Sequence, residues 1–236
     1  MITHSADAFI EGQLILIDKP LNWTSFQVVN KVRWLIRSNF GIKKIKVGHA
    51  GTLDPLATGL LLICCGKMTK SIQHFQGQEK VYSGKFKLGA TTPSYDMETE
   101  INQTFPTDQL TSSQIEKTRE LFLGEIEQKP PLFSALKKEG KRLYEFAREG
   151  ETVEIPTRRI SIETFELDQT YFPEIHFKVS CSKGTYIRSL AYDFGKALDN
   201  GAYLTELRRE KIGDYDVKNA YSIDDLEKIL DQKSEK

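Results

Sequence analysis

Asp54 stands on a stretch suited to holding a shaped loop. Val47-Gly48-His49-Ala50-Gly51-Thr52-Leu53-Asp54-Pro55-Leu56-Ala57-Thr58-Gly59 has three glycines and a proline in thirteen residues, which suits neither helix nor strand. Pro55 biases the Asp54 backbone towards an extended conformation. His49 lies five residues upstream, and Lys43, Lys44 and Lys46 precede it. A carboxylate held this way can act as a nucleophile. Asp-Pro pairs also begin ordinary Asx-turns, and the residues alone leave both readings open. Other chemistries fit less well. Leu56 stands where an Asp-x-Asp phosphoryl-transfer loop would carry its second acid. No Gly-x-x-x-x-Gly-Lys phosphate loop is present, and no His/Cys/Asp cluster has metal-ligand spacing.

The flanking elements must position that loop. Residues 42–47 read as a basic, strand-like lead-in, and Leu60-Leu61-Leu62-Ile63-Cys64-Cys65 as an apolar strand. Upstream, 1–11 reads as a loose leader, 13–18 as a short strand and 19–23 as a turn. Thr24 and Gln27 have capping-box spacing, and Val28, Val29, Val32, Leu35 and Ile36 follow with helical periodicity. Trp23 reads as a packing residue. Downstream, a short helix runs from Gly66-Lys67 to near Gly77. Lys80 to Leu88 then alternates as a strand, with Tyr82, Gly84, Phe86 and Leu88 on one face. Residues 91–100 read as a polar loop and 113–123 as a helix, and Lys129-Pro130-Pro131 breaks regular structure. Strands at about 157–168 and 174–181, a helix at 185–198, a strand at 202–212 and a helix at 222–230 follow. Many strands with interspersed helices predict an α+β fold.

The 236 residues suffice for one large domain or two small ones, and for a sizeable core. Lys+Arg and Asp+Glu balance at 33 each, which by itself does not favour nucleic acid. Binding depends, however, on where charge sits. Basic residues cluster at 43–46, 137–142, Arg158-Arg159 and Arg208-Arg209; acidic ones concentrate at 96–100 and near the C-terminus. Each cluster alone, basic or acidic, reads as solvated surface, and together the basic ones flanking the Asp54 loop suit a phosphate-contacting groove. Cys64, Cys65 and Cys181 give neither zinc-type spacing nor a disulfide framework, so buried free thiols of a reducing cytosol are expected. No apolar run approaches the ~20 residues of a membrane span, and the N-terminus does not read as a signal peptide.

The loop closely resembles the catalytic loop of the TruB family of tRNA pseudouridine synthases. The family pattern, roughly G-H-x-G-x-L-D-P-x-A-x-G, is met at every fixed position from Gly48 to Gly59. Further blocks lie in the family's order: Leu16-Ile17-Asp18-Lys19-Pro20, the stretch 128–137 continuing into 140–145, Cys181-Ser182-Lys183-Gly184-Thr185-Tyr186-Ile187-Arg188, and Leu207-Arg208-Arg209. The resemblance spans nearly the whole chain. It implies isomerisation of one uridine in the T-loop of tRNA, at position 55, without cofactor or metal. It implies the tRNA T-arm as partner, no membrane association, a monomer and a cytoplasmic location. The implied fold is α+β, with a mixed, mainly antiparallel central sheet and flanking helices. The chain is then expected to be a single catalytic domain, 1–236, with an RNA-contacting insertion around 125–152. Many relatives carry a C-terminal RNA-binding domain of the PUA type; here 213–236 is expected to be a short extension in its place, too small for an ordinary domain.

Pseudouridine formation breaks the N1–C1′ bond, rotates the uracil and joins C5 to C1′, consuming nothing. The resemblance implies Asp54 as the catalytic carboxylate. It implies Arg188 as the cation that keeps Asp54 ionised against desolvation; outside the motif Arg188 reads equally as a surface arginine opening a helix. Tyr82 would stack on the flipped base, or else serve as a core residue of its strand. His49 would fill space left by the flipped nucleotide, or else be a turn histidine. Leu207 would pack beside the base, Lys19 and Pro20 would support the site, and Tyr186 joins the substrate-binding set. The rival reading is a non-catalytic tRNA-binding or tRNA-folding module on the same scaffold. Such a module could lose Asp54 or Arg188, and both are present.

Overall fold

A computed structural model describes residues 2–134, 136–138, 140–149, 151 and 153–231. The side chains of Lys137, Lys138, Ala147 and Arg148 also lie outside the described set, as do residues 232–236 of the expected extension. In chain order the elements are α1 (Ala6–Glu11), β1 (Gln13–Lys19), α2 (Ser25–Phe40), β2 (Val47–His49), β3 (Ala57–Cys65), α3 (Ile72–Gly77), β4 (Lys80–Leu88), β5 (Ala90–Thr91), β6 (Gln103–Thr104) and α4 (Ser112–Glu120). Then come β7 (Gly124–Gln128), β8 (Lys137–Lys138), β9 (Lys141–Arg142), α5 (Leu143–Arg148), β10 (Arg158–Asp168), β11 (Glu174–Cys181), α6 (Ile187–Ala197), β12 (Ala202–Ile212), β13 (Tyr215–Asp216) and α7 (Ile223–Asp231). This is the expected α+β fold with a mainly antiparallel sheet. The chain divides into two compact units, 1–82 with 208–236, and 83–207.

In the first unit β3 is the central strand. β1 pairs with it antiparallel from Gln13↔Cys65 to Lys19↔Gly59, and β2 from Val47↔Cys65 to His49↔Ile63. Because strand side chains alternate, Leu61, Ile63 and Cys65 enter one core with Ile15 and Ile17 of β1, Val28, Val32 and Leu35 of α2, and Leu226 and Leu230 of α7. Leu60, Leu62 and Cys64 enter the other, with Ala50, Phe75 and Ile212. Burial on both faces explains why this strand reads as an unbroken apolar run. The capping box at Thr24 and Gln27 forms as expected and starts α2; such a cap is typically worth about 1 kcal/mol. All three cysteines are buried and free.

In the second unit β10 lies between β7 and β11, antiparallel to both. The 83–88 part of β4 and the 202–207 part of β12 continue that order. Phe86, Phe122, Phe165 and Phe194 meet beneath these strands with ring centroids 5.2–5.9 Å apart.

Three local expectations are corrected. The leader contains α1, capped by Ser5, whose Oγ accepts from Ala8 N. It is anchored by buried Phe9 packing on Phe40 at 5.0 Å. The basic lead-in is not a strand before Val47. The polar loop at 91–100 is not a solvated one, since Thr92, Ser94 and Asp96 are buried.

At Gly59 φ is +101°, and a Cβ would stand 2.3 Å from the Arg209 carbonyl oxygen. Both facts require glycine. Gly59→Ala should destabilise the protein by on the order of 2–4 kcal/mol, combining backbone strain with overlap. That lowers the melting temperature by about 2–4 °C per kcal/mol in a chain of this size. Unchanged thermal unfolding would contradict the strand approach described.

Candidate active site

The Asp54 loop is closed by its own backbone and anchored from outside it. Ala57 N donates to Asp54 O at 3.1 Å, so the Asp-Pro pair does open a turn, and the turn leaves Asp54 half-buried. Asn22 N donates to Pro55 O at 2.9 Å. Ser25 Oγ, at the start of α2, accepts from Leu53 N at 2.8 Å and donates to Leu53 O at 3.1 Å. The capped helix thus fixes the residue immediately before the carboxylate.

Two buried cations hold the remainder. Arg209, 1% exposed, donates from Nε to Leu60 O at 2.8 Å, from Nη2 to Gly51 O at 3.0 Å and from Nη1 to Thr52 O at 3.4 Å. Lys19, 0% exposed, donates to Trp23 O at 2.6 Å, Pro20 O at 2.9 Å and Pro55 O at 3.5 Å. Burial pushes the Lys19 ammonium down to about 8; the Asp54 charge opposes that drop and Arg209 adds to it. His49 ends β2, and burial lowers its pKa, with Arg209 adding to the effect and the Gly51 backbone opposing it. Beside them Arg208 grips Asp18 bidentately at 2.7 and 3.0 Å. The pair Arg208-Arg209 is therefore not a solvated cluster. Arg209 is structural and holds the loop.

The first unit thus brings His49, Asp54 and Lys19 together around one loop, with Pro20 supplying a carbonyl to Lys19. Tyr82 belongs to the same unit and is buried on β4. In the second unit Arg188 lies in the first turn of α6. Its Nε stands 3.6 Å from Asp96 Oδ2, its Nη1 donates to Ser94 O at 3.2 Å and its Nη2 to Phe133 O at 2.8 Å. It is buried, which removes the surface-arginine reading. Tyr186 is held at its backbone by the Gln128 amide, which accepts from Tyr186 N at 2.8 Å and donates to Tyr186 O at 3.0 Å. The Arg158 guanidinium covers the Tyr186 ring at 4.4 Å. Leu207 is buried on β12. Sequence reasoning missed Ser25, Asp96, Gln128 and the inward role of Arg209. Gln128 opens a motif block, which was a usable signal; Asp96 showed only as part of an acidic cluster, and Ser25 gave none. Among the described residues, no three His, Cys, Asp or Glu side chains are grouped to hold a metal. No described helix is long and apolar enough to cross a membrane.

The fold has solved counterparts. A structure described as a Cbf5-Nop10-Gar1 complex matches 93% of the chain with a TM-score of 0.67 and 27% identity. An H/ACA RNP bound to a substrate RNA containing 2′-deoxyuridine matches 94% with a TM-score of 0.66 and 25% identity. The chain spans 54% of each of those two solved chains. The model of the TruB family pseudouridylate synthase N-terminal domain matches residues 37–187, and that of the tRNA pseudouridylate synthase B C-terminal domain matches 188–236. A tRNA pseudouridine synthase B of Flavobacterium johnsoniae is 62% identical, covering 95% of this chain and 98% of that protein. Its counterpart in Phocaeicola vulgatus is 52% identical, covering 95% of both. The chain belongs to the TruB family of pseudouridylate synthases, and it is an enzyme of that kind, an isomerase.

The Lys19 shift has a definite sign. Unfolded, its ammonium keeps its proton up to its ordinary value of 10.5; folded, it releases it near about 8. Between those values the unfolded chain binds more protons, so this group makes stability rise with pH, by at most about 3 kcal/mol. Lys19→Met removes the titration. The melting temperature of the unaltered chain minus that of Lys19→Met should increase from pH 8 to 10.5. A flat or falling difference would overturn the assignment.

Proposed function

We propose that this enzyme isomerises the uridine at position 55 in the T-loop of tRNA. Asp54 is the catalytic carboxylate, and the target nucleotide is flipped out of its stack to reach it. The observation that carries this reading is the brace on the Asp54 loop, with Ser25, Lys19 and Arg209 fixing residues on both sides of a half-buried carboxylate. A preorganised group needs no rearrangement as the reaction proceeds. The relatives named tRNA pseudouridine synthase B support the substrate. The reading treats the chain as one catalytic domain acting as a cytoplasmic monomer, with 125–152 contacting RNA. It assigns substrate contact to Tyr82, His49, Leu207, Tyr186 and Arg188, and support of the loop to Lys19. The deciding experiment is incubation with an unmodified tRNA transcript and mapping of pseudouridine; formation elsewhere in the tRNA, or none, defeats it.

Asp54→Asn keeps the size of the side chain and removes the anion. It should lower turnover by at least about 10³-fold, as loss of a reacting group does, while the variant still binds tRNA. Substantial turnover, once deamidation back to aspartate is excluded by mass spectrometry, would remove Asp54 from the chemistry.

Unstacking a base costs a few kcal/mol, and an aromatic face returns ~1–3 kcal/mol. Tyr82→Phe should therefore retain the stacking contribution and Tyr82→Ala should lose it. The competing role is core packing, which its burial also suits. There Tyr82→Ala would cost roughly 3–5 kcal/mol of stability. Thermal unfolding beside single-turnover kinetics separates the two. Near-normal melting with turnover lost supports stacking; a large fall in melting temperature with normal turnover below it supports the core role.

A further inference from the structure

Between Asp18 and Asp54 the chain has no acidic residue, yet it carries Lys19, Lys31, Arg33, Arg37, Lys43, Lys44 and Lys46. In a chain of zero formal charge this is a strong local excess. Lys19 is buried in the brace, and Lys31 pairs with Glu227 at 2.8 Å. The rest lie along α2 and the segment after it. Phe26, Asn30, Arg33 and Arg37 follow at helical spacing, one stripe of α2. Two contacts fix where that helix runs. Ser25 bonds Leu53 beside Asp54, and Arg33 Nη2 donates to Val47 O at 3.1 Å, two residues before His49. Helix α2 therefore lies alongside residues 47–53, its N-terminus at the catalytic loop. Arg37, Lys43, Lys44 and Lys46 are exposed at the far end. Near the loop, Phe26 is 64% exposed and Leu21 52%. From Phe26 to Arg37 the helix axis covers about 16 Å.

We propose that this face, running from Leu21 and Phe26 through Arg33 and Arg37 to Lys43, Lys44 and Lys46, is a docking surface for the RNA that presents its uridine to Asp54. The cations sit on backbone phosphates and Phe26 packs on a base or ribose near the target. The proposal rests on the RNA-isomerase reading of the same loop. Its occupant follows from continuity with that loop and from the one-signed charge, since phosphates are the anions that accompany a uridine into the site.

The test compares two variants with equal change in net charge. One is Arg37→Glu/Lys44→Glu/Lys46→Glu. The other, Lys117→Glu/Lys218→Glu/Lys228→Glu, reverses three exposed lysines elsewhere. The Kd for an unmodified tRNA transcript at about 100 mM salt should rise at least tenfold for the first and stay within about twofold for the second. The slope of log affinity against log salt should flatten by about 2 for the first, because three phosphates are no longer neutralised. Phe26→Ala should weaken binding by at least about fivefold. Melting temperatures of all variants should match that of the unaltered chain, and a variant that melts early is replaced by the corresponding glutamine set. Equal weakening by both triple variants would mean that net charge alone is felt, and the proposal falls. It falls as well if the first variant binds like the unaltered chain. Pseudouridine formation by the unaltered chain on the same transcript tests the underlying reading separately, because its failure leaves the Kd comparison readable.

Discussion

A loop without helix or sheet of its own must find donors for its buried carbonyls. In the first unit two buried cations supply them. Arg209 takes the carbonyls of Gly51, Thr52 and Leu60, and Lys19 those of Pro20, Trp23 and Pro55. Each set has members before and after Asp54 in the chain. Five donors in a fixed fork suit Arg209 to three separate carbonyls, and the compact ammonium suits Lys19 to a convergent set. Removing either would leave several carbonyls unsatisfied at once.

Burying cations among neutral carbonyls has an electrostatic consequence. Carbonyl dipoles replace only part of the hydration that an ammonium loses. The depressed pKa of Lys19 records that deficit, and the Asp54 charge recovers some of it. Brace and carboxylate are thus coupled through Lys19: the ammonium that helps hold the loop interacts with the Asp54 charge and contributes a positive field beside it. Hydrophobic residues of equal volume could fill the same space with less desolvation. They could neither bond the carbonyls nor provide that field.

What the sequence made legible was mostly local. Thr24 with Gln27 marks the start of α2 because a capping box is a four-residue pattern. The 60–65 run marks β3 because burial on both faces leaves no polar position. Helix α1 escaped notice because six residues are too few to show a period, and its anchor is a single phenylalanine. The lead-in at 42–46 looked strand-like from β-branched residues alternating with lysines, yet only Val47–His49 pairs with β3. Arg209 and Asp96 were misread for a different reason. Arg209 meets carbonyls 149 to 158 positions away, and Asp96 meets Arg188 across most of the second unit. Charge runs look alike whether solvated or buried until those partners are known. The candidate site residues came from the motif, which does not show what holds them in place.

Register in β3 ties the loop to the core. Lys19 pairs with Gly59 at the end of β1, so the strand that delivers the ammonium is fixed against the strand that leaves the loop. A slip of one residue would exchange Leu61 and Ile63 with Leu60 and Leu62 between two differently shaped cores. It would also move Gly59 away from the Arg209 backbone and put a side chain where only glycine fits. Packing on both faces of β3 therefore sets, through register alone, where the guanidinium of Arg209 meets Gly51 and Thr52. The position of the carboxylate is in this sense a property of the core.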